Sequence, residues 1–216
     1  GTRTLVQENP DTPDYNIQIE AARNVAGKVV SYVKYADRLC ERIHFKEITP
    51  EAAPHRDQNY VDPTLIYPMH AMISVKTKHD AEVIERYLNQ MFRSDSSQYP
   101  PEQGFRAEVV LSSGEDEEGN PVKGKKLETN HPWLKCWQAQ KSKNAEKFQM
   151  TKQGWQLPED SARFLVVVEM AREGINNPFC GVVGLGKRTQ SIIEVIQRLI
   201  GRQIRSYTEK FISQLR

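Results

Sequence analysis

Cysteine is scarce and scattered in this chain: Cys40, Cys136 and Cys180 are odd in number, far apart, and form no Cys-x-x-Cys pair. That spacing suggests neither a disulfide framework nor a zinc site, so a reducing, cytoplasmic setting is expected. No apolar run approaches the ~18 residues of a membrane-spanning helix, so no membrane partner is expected. The opening GTRTLVQENP also lacks a signal-peptide pattern. Charge of one sign is lacking too: 30 Lys and Arg against 28 Asp and Glu leave only +2, so an anionic partner would have to be met by local clustering. At 216 residues the chain can bury one good core with, at most, an appended subdomain.

What is present centres on residues 163–205. Residues 164–170 form a run rich in β-branched side chains with no polar break before Glu169, which suits a strand covered on both faces in a parallel sheet. Residues 171–178 hold Gly174, two Asn and Pro178 and read as a loop. Residues 179–185 read as a second strand. Ser191 with Glu194 makes a capping box, and Ile192, Ile193, Val195, Ile196, Leu199 and Ile200 then fill a helical face that ends at Gly201. Between residues 187 and 205 stand Lys187, Arg188, Arg198, Arg202 and Arg205 against the single acid Glu194. Arginine suits a planar, bidentate grip on phosphate oxygens, so an anion is expected there; the plainer reading is a solvated basic helix end that favours the helix dipole.

The chain before this stretch alternates helix and strand. Ile17, Ala21, Val25, Val29, Val33, Ala36, Cys40 and Ile43 recur every three or four residues and predict one long amphipathic helix packed on the sheet, its basic side chains forming solvated surface. Residues 46–65 are broken by prolines and read as loop. Residues 70–75, HAMISV, predict a short buried strand that leads through Lys76, Thr77, Lys78 and His79 into a helix over 80–92 with Ala81, Ile84, Leu88 and Met91 inward. Positive charge beside free helix amides suits a phosphate, and an ordinary capped surface loop is the alternative. A loop over 94–104, a strand over 105–111, a mobile acidic excursion around residues 115–118, a helix over 130–150 and an exposed connector over 151–162 complete the reading. Such an order implies an α/β fold with a mainly parallel sheet flanked by helices.

Two of these stretches carry a family resemblance. RLIGRQIR, residues 198–205, resembles motif VI of superfamily 2 helicases and translocases, and EGINNP, residues 173–178, resembles their motif V. The strand and loop at residues 70–77 resemble motif IV, so the resemblance covers roughly residues 66–205. Arg198 stands three residues before Gly201 with Gln197 one place earlier, and Asn176 stands where many members have Asp. The resemblance implies a second RecA-like domain over 66–216, preceded by an arm and connecting helix over 1–65, nearest the branch found in restriction-modification and phage proteins. It implies arginine fingers at Arg202 and Arg205, nucleotide contacts at Gly174, Asn176, Gln197 and Arg198, and backbone contacts to nucleic acid, DNA rather than RNA, at Lys76, Thr77 and Arg172. ATP with Mg2+ would be held mainly by a first RecA-like domain supplied in cis or in trans. The chain is too short for two such domains.

Residues 181–187, GVVGLGK, fit the opening of a Walker A loop, but Arg188 stands where Ser or Thr should hold magnesium, and the residues between the glycines are strand-like. A strand is expected instead. Two other functions remain open at this stage: a non-catalytic nucleic-acid or protein-binding module with the same fold, and a small phosphotransferase using this loop.

Overall fold

The computed structural model describes residues 13–45, 68–110, 114–115, 121–122, 148–158, 161–168 and 180–186. Four strands, β1 (His70–Val75), β2 (Ala107–Val110), β7 (Phe164–Val168) and β8 (Cys180–Leu185), form one sheet in the order β2-β7-β1-β8. Every pairing in it is parallel, with Val75 level with Val168 and Ser74 level with Leu185. Two antiparallel hairpins stand apart: β3 (Gly114–Glu115) with β4 (Pro121–Val122), and β5 (Gln149–Thr151) with β6 (Gly154–Gln156). Helices α1 (Pro13–His44) and α2 (Lys78–Ser94) and a short 3-10 turn at Pro101–Gln103 complete the described elements.

β1 is buried at all six positions. Alternate side chains point to opposite faces of a strand, so Ala71, Ile73 and Val75 enter the core shared with α1 and α2, while His70, Met72 and Ser74 turn to the other face. This double burial is what an unbroken apolar strand in a parallel sheet requires. α2 buries Ala81, Ile84, Leu88 and Phe92 at helical spacing; Met91 is only half-buried, because Phe92 takes the inward position against Phe105 and Phe164. The outer edge of β2 is closed by α2 rather than left open to another strand. Asn89 Nδ2 donates to the Ala107 carbonyl at 2.9 Å, Ala107 N–H donates to Asn89 Oδ1 at 3.0 Å, and Val109 N–H donates to Glu85 Oε1 at 3.1 Å. Satisfying the backbone groups of an edge in this way removes a template for aggregation.

α1 is the predicted long helix, but its buried stripe runs through Ile19, Ala22, Ala26, Val29, Val30, Val33, Ala36 and Cys40, while Ile17 and Ala21 are exposed. The stripe counted from Ile17 advances in steps of four, and each step overshoots the 3.6-residue turn. From position 17 to position 33 the overshoot accumulates to about 160°, so a stripe that is correct at Val33 is on the wrong face at Ile17. Counting back from Val33 in mixed steps of three and four finds the buried face. At 32 residues α1 is about 48 Å long and spans well beyond the strands it covers.

Two other expectations are corrected. Of the helix expected over 130–150, residues 130–147 lie outside the described residues and Gln149 and Met150 lie in β5, and the connector over 151–162 is not exposed throughout. It holds the β5–β6 hairpin, whose Trp155 is buried, and continues into buried Leu157, Ser161 and Ala162. Gly154, at φ +107°, allows the turn, and Thr151 Oγ1 both accepts from Gln153 N–H and donates to the Gly154 carbonyl. The acidic excursion contains the β3–β4 ladder, and the rest of it lies outside the described residues.

His70 has its ring in the protein interior, where Nδ1 lies 2.8 Å from the Pro68 carbonyl, the arrangement of a neutral ring donating from Nδ1. Burial, helped by the nearby Arg163 charge, lowers its pKa to about 3. The folded state therefore keeps the ring neutral while the unfolded chain takes up a proton below about pH 6.5. Stability from this group is complete above that value and is lost as pH falls through it toward about 3. Between about pH 7 and about pH 5 the expected loss is about 2 kcal/mol in urea unfolding. His70→Gln, which cannot ionise, should remove that part of the pH dependence; an unchanged slope would show that other groups cause it.

Candidate functional site

Because all four strands run in one direction, their carboxyl ends, at Val75, Val110, Val168 and Leu185, share one edge of the sheet. β1 stands between β7 and β8, so the chain leaving β1 is flanked by the ends of the two strands that lead to the motif V-like and motif VI-like stretches. In open parallel sheets this edge is where ligands are bound.

α1 runs antiparallel to the strands. In its second half Asp37 meets Arg163 beside the amino end of β7, while Ala22 in its first half lies against Gly186, just past β8. Its N-terminal turns therefore reach the carboxyl edge. The approach is close: a Cβ on Gly184 would lie 2.7 Å from Val29 Cγ2 and 2.9 Å from Val25 Cγ1, and one on Gly186 would lie 3.2 Å from Ala22 Cβ. Gly184 and Gly186 of the GVVGLGK run are thus explained by helix packing. Residues 181–185 form strand, as expected, and Gly186 N–H donates to the Ser74 carbonyl at 2.8 Å. A phosphate cradle needs a loop with its amides open to the ligand. These residues do not fit one.

Lys76 and Thr77, the two predicted contacts among the described residues, follow β1 directly and are exposed. Thr77 is the N-cap of α2: its Oγ1 accepts from Asp80 N–H at 3.1 Å, and its own N–H donates to Asp80 Oδ2 at 3.0 Å. This capping box satisfies a first-turn amide and sets the Asp80 carboxylate against the positive helix end, so the backbone there is a poorer phosphate site than an uncapped terminus. The Thr77 hydroxyl retains a proton to donate, and Lys76, Lys78 and His79 stand exposed around it. Lysine side chains, rather than helix amides, supply the charge at this edge. Arg172, Gly174, Asn176, Gln197, Arg198, Arg202 and Arg205 lie outside the described residues.

The opposite edge holds a feature that sequence reading did not find. Arg163 is wholly buried; its Nη1 and Nη2 donate to the two Asp37 carboxylate oxygens at 2.9 and 2.7 Å, Nε donates to the Met69 carbonyl at 3.0 Å, and Nη1 also donates to the Gln103 carbonyl at 3.1 Å. Its aliphatic stem packs on Gly104, at φ +73°, where a Cβ would come within 2.8 Å of Arg163 Cγ. Burial pushes the Asp37 carboxyl up while the Arg163 guanidinium opposes it. One signal was available: Asp37 sits between the inward positions Val33 and Cys40, and an acid on a buried face calls for a cation.

No helix among the described residues is long and apolar enough to cross a membrane. No family model, no curated protein and no solved structure matches this chain.

Proposed function

We propose that this chain is the second RecA-like motor domain of a superfamily 2 helicase or translocase. Its carboxyl sheet edge faces nucleic acid through Lys76, Thr77 and Arg172. It meets a nucleotide through Gly174, Asn176, Gln197 and Arg198, and supplies Arg202 and Arg205 to the γ-phosphate. What carries the reading is the position of β1 between β7 and β8, which sets the end of the motif IV-like strand beside the ends of the strands that precede the motif V-like and motif VI-like stretches in the chain. The fit of residues 181–186 to strand and helix packing supports it further, because it argues against a phosphate loop there and accords with a nucleotide cradle on a first motor domain. ATP is then the substrate of the assembled pair, with Mg2+ held by that first domain.

The test is ATP turnover by the chain alone and together with a first motor domain, in cis or in trans. Alone it should be inactive; together, turnover should appear and rise with added nucleic acid. Strong turnover by the isolated chain, abolished by Lys187→Ala, would replace this reading with the phosphotransferase.

A further inference from the structure

A groove of about 750 Å³ opens between the first turns of α1 and α2. It adjoins the carboxyl edge, since one wall is His79, two residues past Thr77. The Tyr15 ring stands 6.0 Å from the His79 ring, inclined at 38°. Ile17, 64% exposed, adds apolar surface, and the exposed Asn16 and Asn24 add amide donors and acceptors. Arg23 also lines the groove, and its buried Nε has no hydrogen-bond partner in the protein. A buried donor left unpaired costs free energy unless a ligand or water meets it.

We infer that this groove holds an unpaired base of a single-stranded nucleic acid whose backbone passes Lys76 and Lys78. Each part has a matching role. Aromatic faces accept any base by stacking, amides read a base edge, and the exposed Lys76 and Lys78 that precede His79 in the chain can hold phosphate. A peptide could fill an apolar groove, but Lys76 and Lys78, exposed just ahead of His79 in the chain, match an anionic backbone carrying flat, apolar groups, and the acid that lines the groove, Glu20, is paired with Arg23 at 3.7 Å. The inference rests on the reading that the carboxyl edge faces nucleic acid, and it adds a base subsite formed by the first turns of α1 and α2, beside the motif IV-like loop.

Fluorescence anisotropy with the full chain tests it, using an oligothymidylate of about 12 nucleotides and the same backbone with abasic sites. Wild type should prefer the base-bearing strand by about five-fold or more. Tyr15→Ala and His79→Ala should each reduce that preference toward one while leaving abasic binding unchanged, and Tyr15→Phe should retain it. Lys76→Ala should weaken both probes alike. If Lys76→Ala weakens both while Tyr15→Ala and His79→Ala leave the preference intact, the groove is not a base site although the edge still binds nucleic acid. If the folded wild type binds neither probe, the reading of the edge falls with it. His79 is exposed, so His79→Ala decides the matter should Tyr15→Ala lower the melting temperature.

Discussion

Replacing Arg202 or Arg205 by Ala is expected to lower ATP turnover of the assembled motor by about 10³-fold or more, while nucleotide affinity falls far less. During phosphoryl transfer negative charge spreads over the transferring oxygens, and a guanidinium held in a water-poor cleft stabilises that charge more than it stabilises bound ATP. An interaction made mainly in the transition state appears in turnover rather than in ground-state binding. The two residues follow Gly201, which the sequence marks as a helix end, so they are expected to add little to folding. Melting temperature, nucleotide affinity and turnover should be measured on each variant with the first domain present. A variant that melts much lower yet turns over normally per folded molecule would assign that arginine to a structural ion pair instead.

Arg163→Ala should act in the opposite manner, destabilising the fold by about 3–5 kcal/mol without touching the carboxyl edge. It leaves the Asp37 carboxylate without the partner that holds it in a site where burial already disfavours its charge. It also removes donors from the Met69 and Gln103 carbonyls. The Asp37→Leu and Arg163→Met double variant should be more stable than Arg163→Ala, because the uncompensated charge is gone and apolar volume is kept. Urea unfolding of the single and double variants measures this; a double variant less stable than Arg163→Ala would show that the unpaired Asp37 charge is not what destabilises the single variant.

The same pair explains why the two halves of the chain share one core. Asp37 and Arg163 are 126 residues apart, so the contact closes a long loop and joins α1 to the strand that leads toward the motif V-like stretch. α1, read from sequence as a long helix packed on the sheet, packs on β1 and β8 and places Tyr15 of its first turn beside His79.

By itself the sequence determined the strand His70–Val75, the strands expected over 164–170 and 179–185, which form as Phe164–Val168 and Cys180–Leu185, and the helix expected over 80–92, which forms as Lys78–Ser94, because each is written in neighbouring residues as a run or a period. It also determined that residues 181–185 form strand, since Val182, Val183 and Leu185 suit a pleated surface better than a loop. Tertiary structure alone decided which face of α1 is buried near Ile17, because a four-residue count drifts around the helix and only the packing surface corrects it. It decided the β5–β6 hairpin, whose short strands and buried Trp155 draw their stability from packing against the α1 side of the molecule rather than from local pattern. The strand order β2-β7-β1-β8 and the Asp37–Arg163 pair were likewise beyond local reading, because both join residues distant along the chain, and no window of sequence contains both partners.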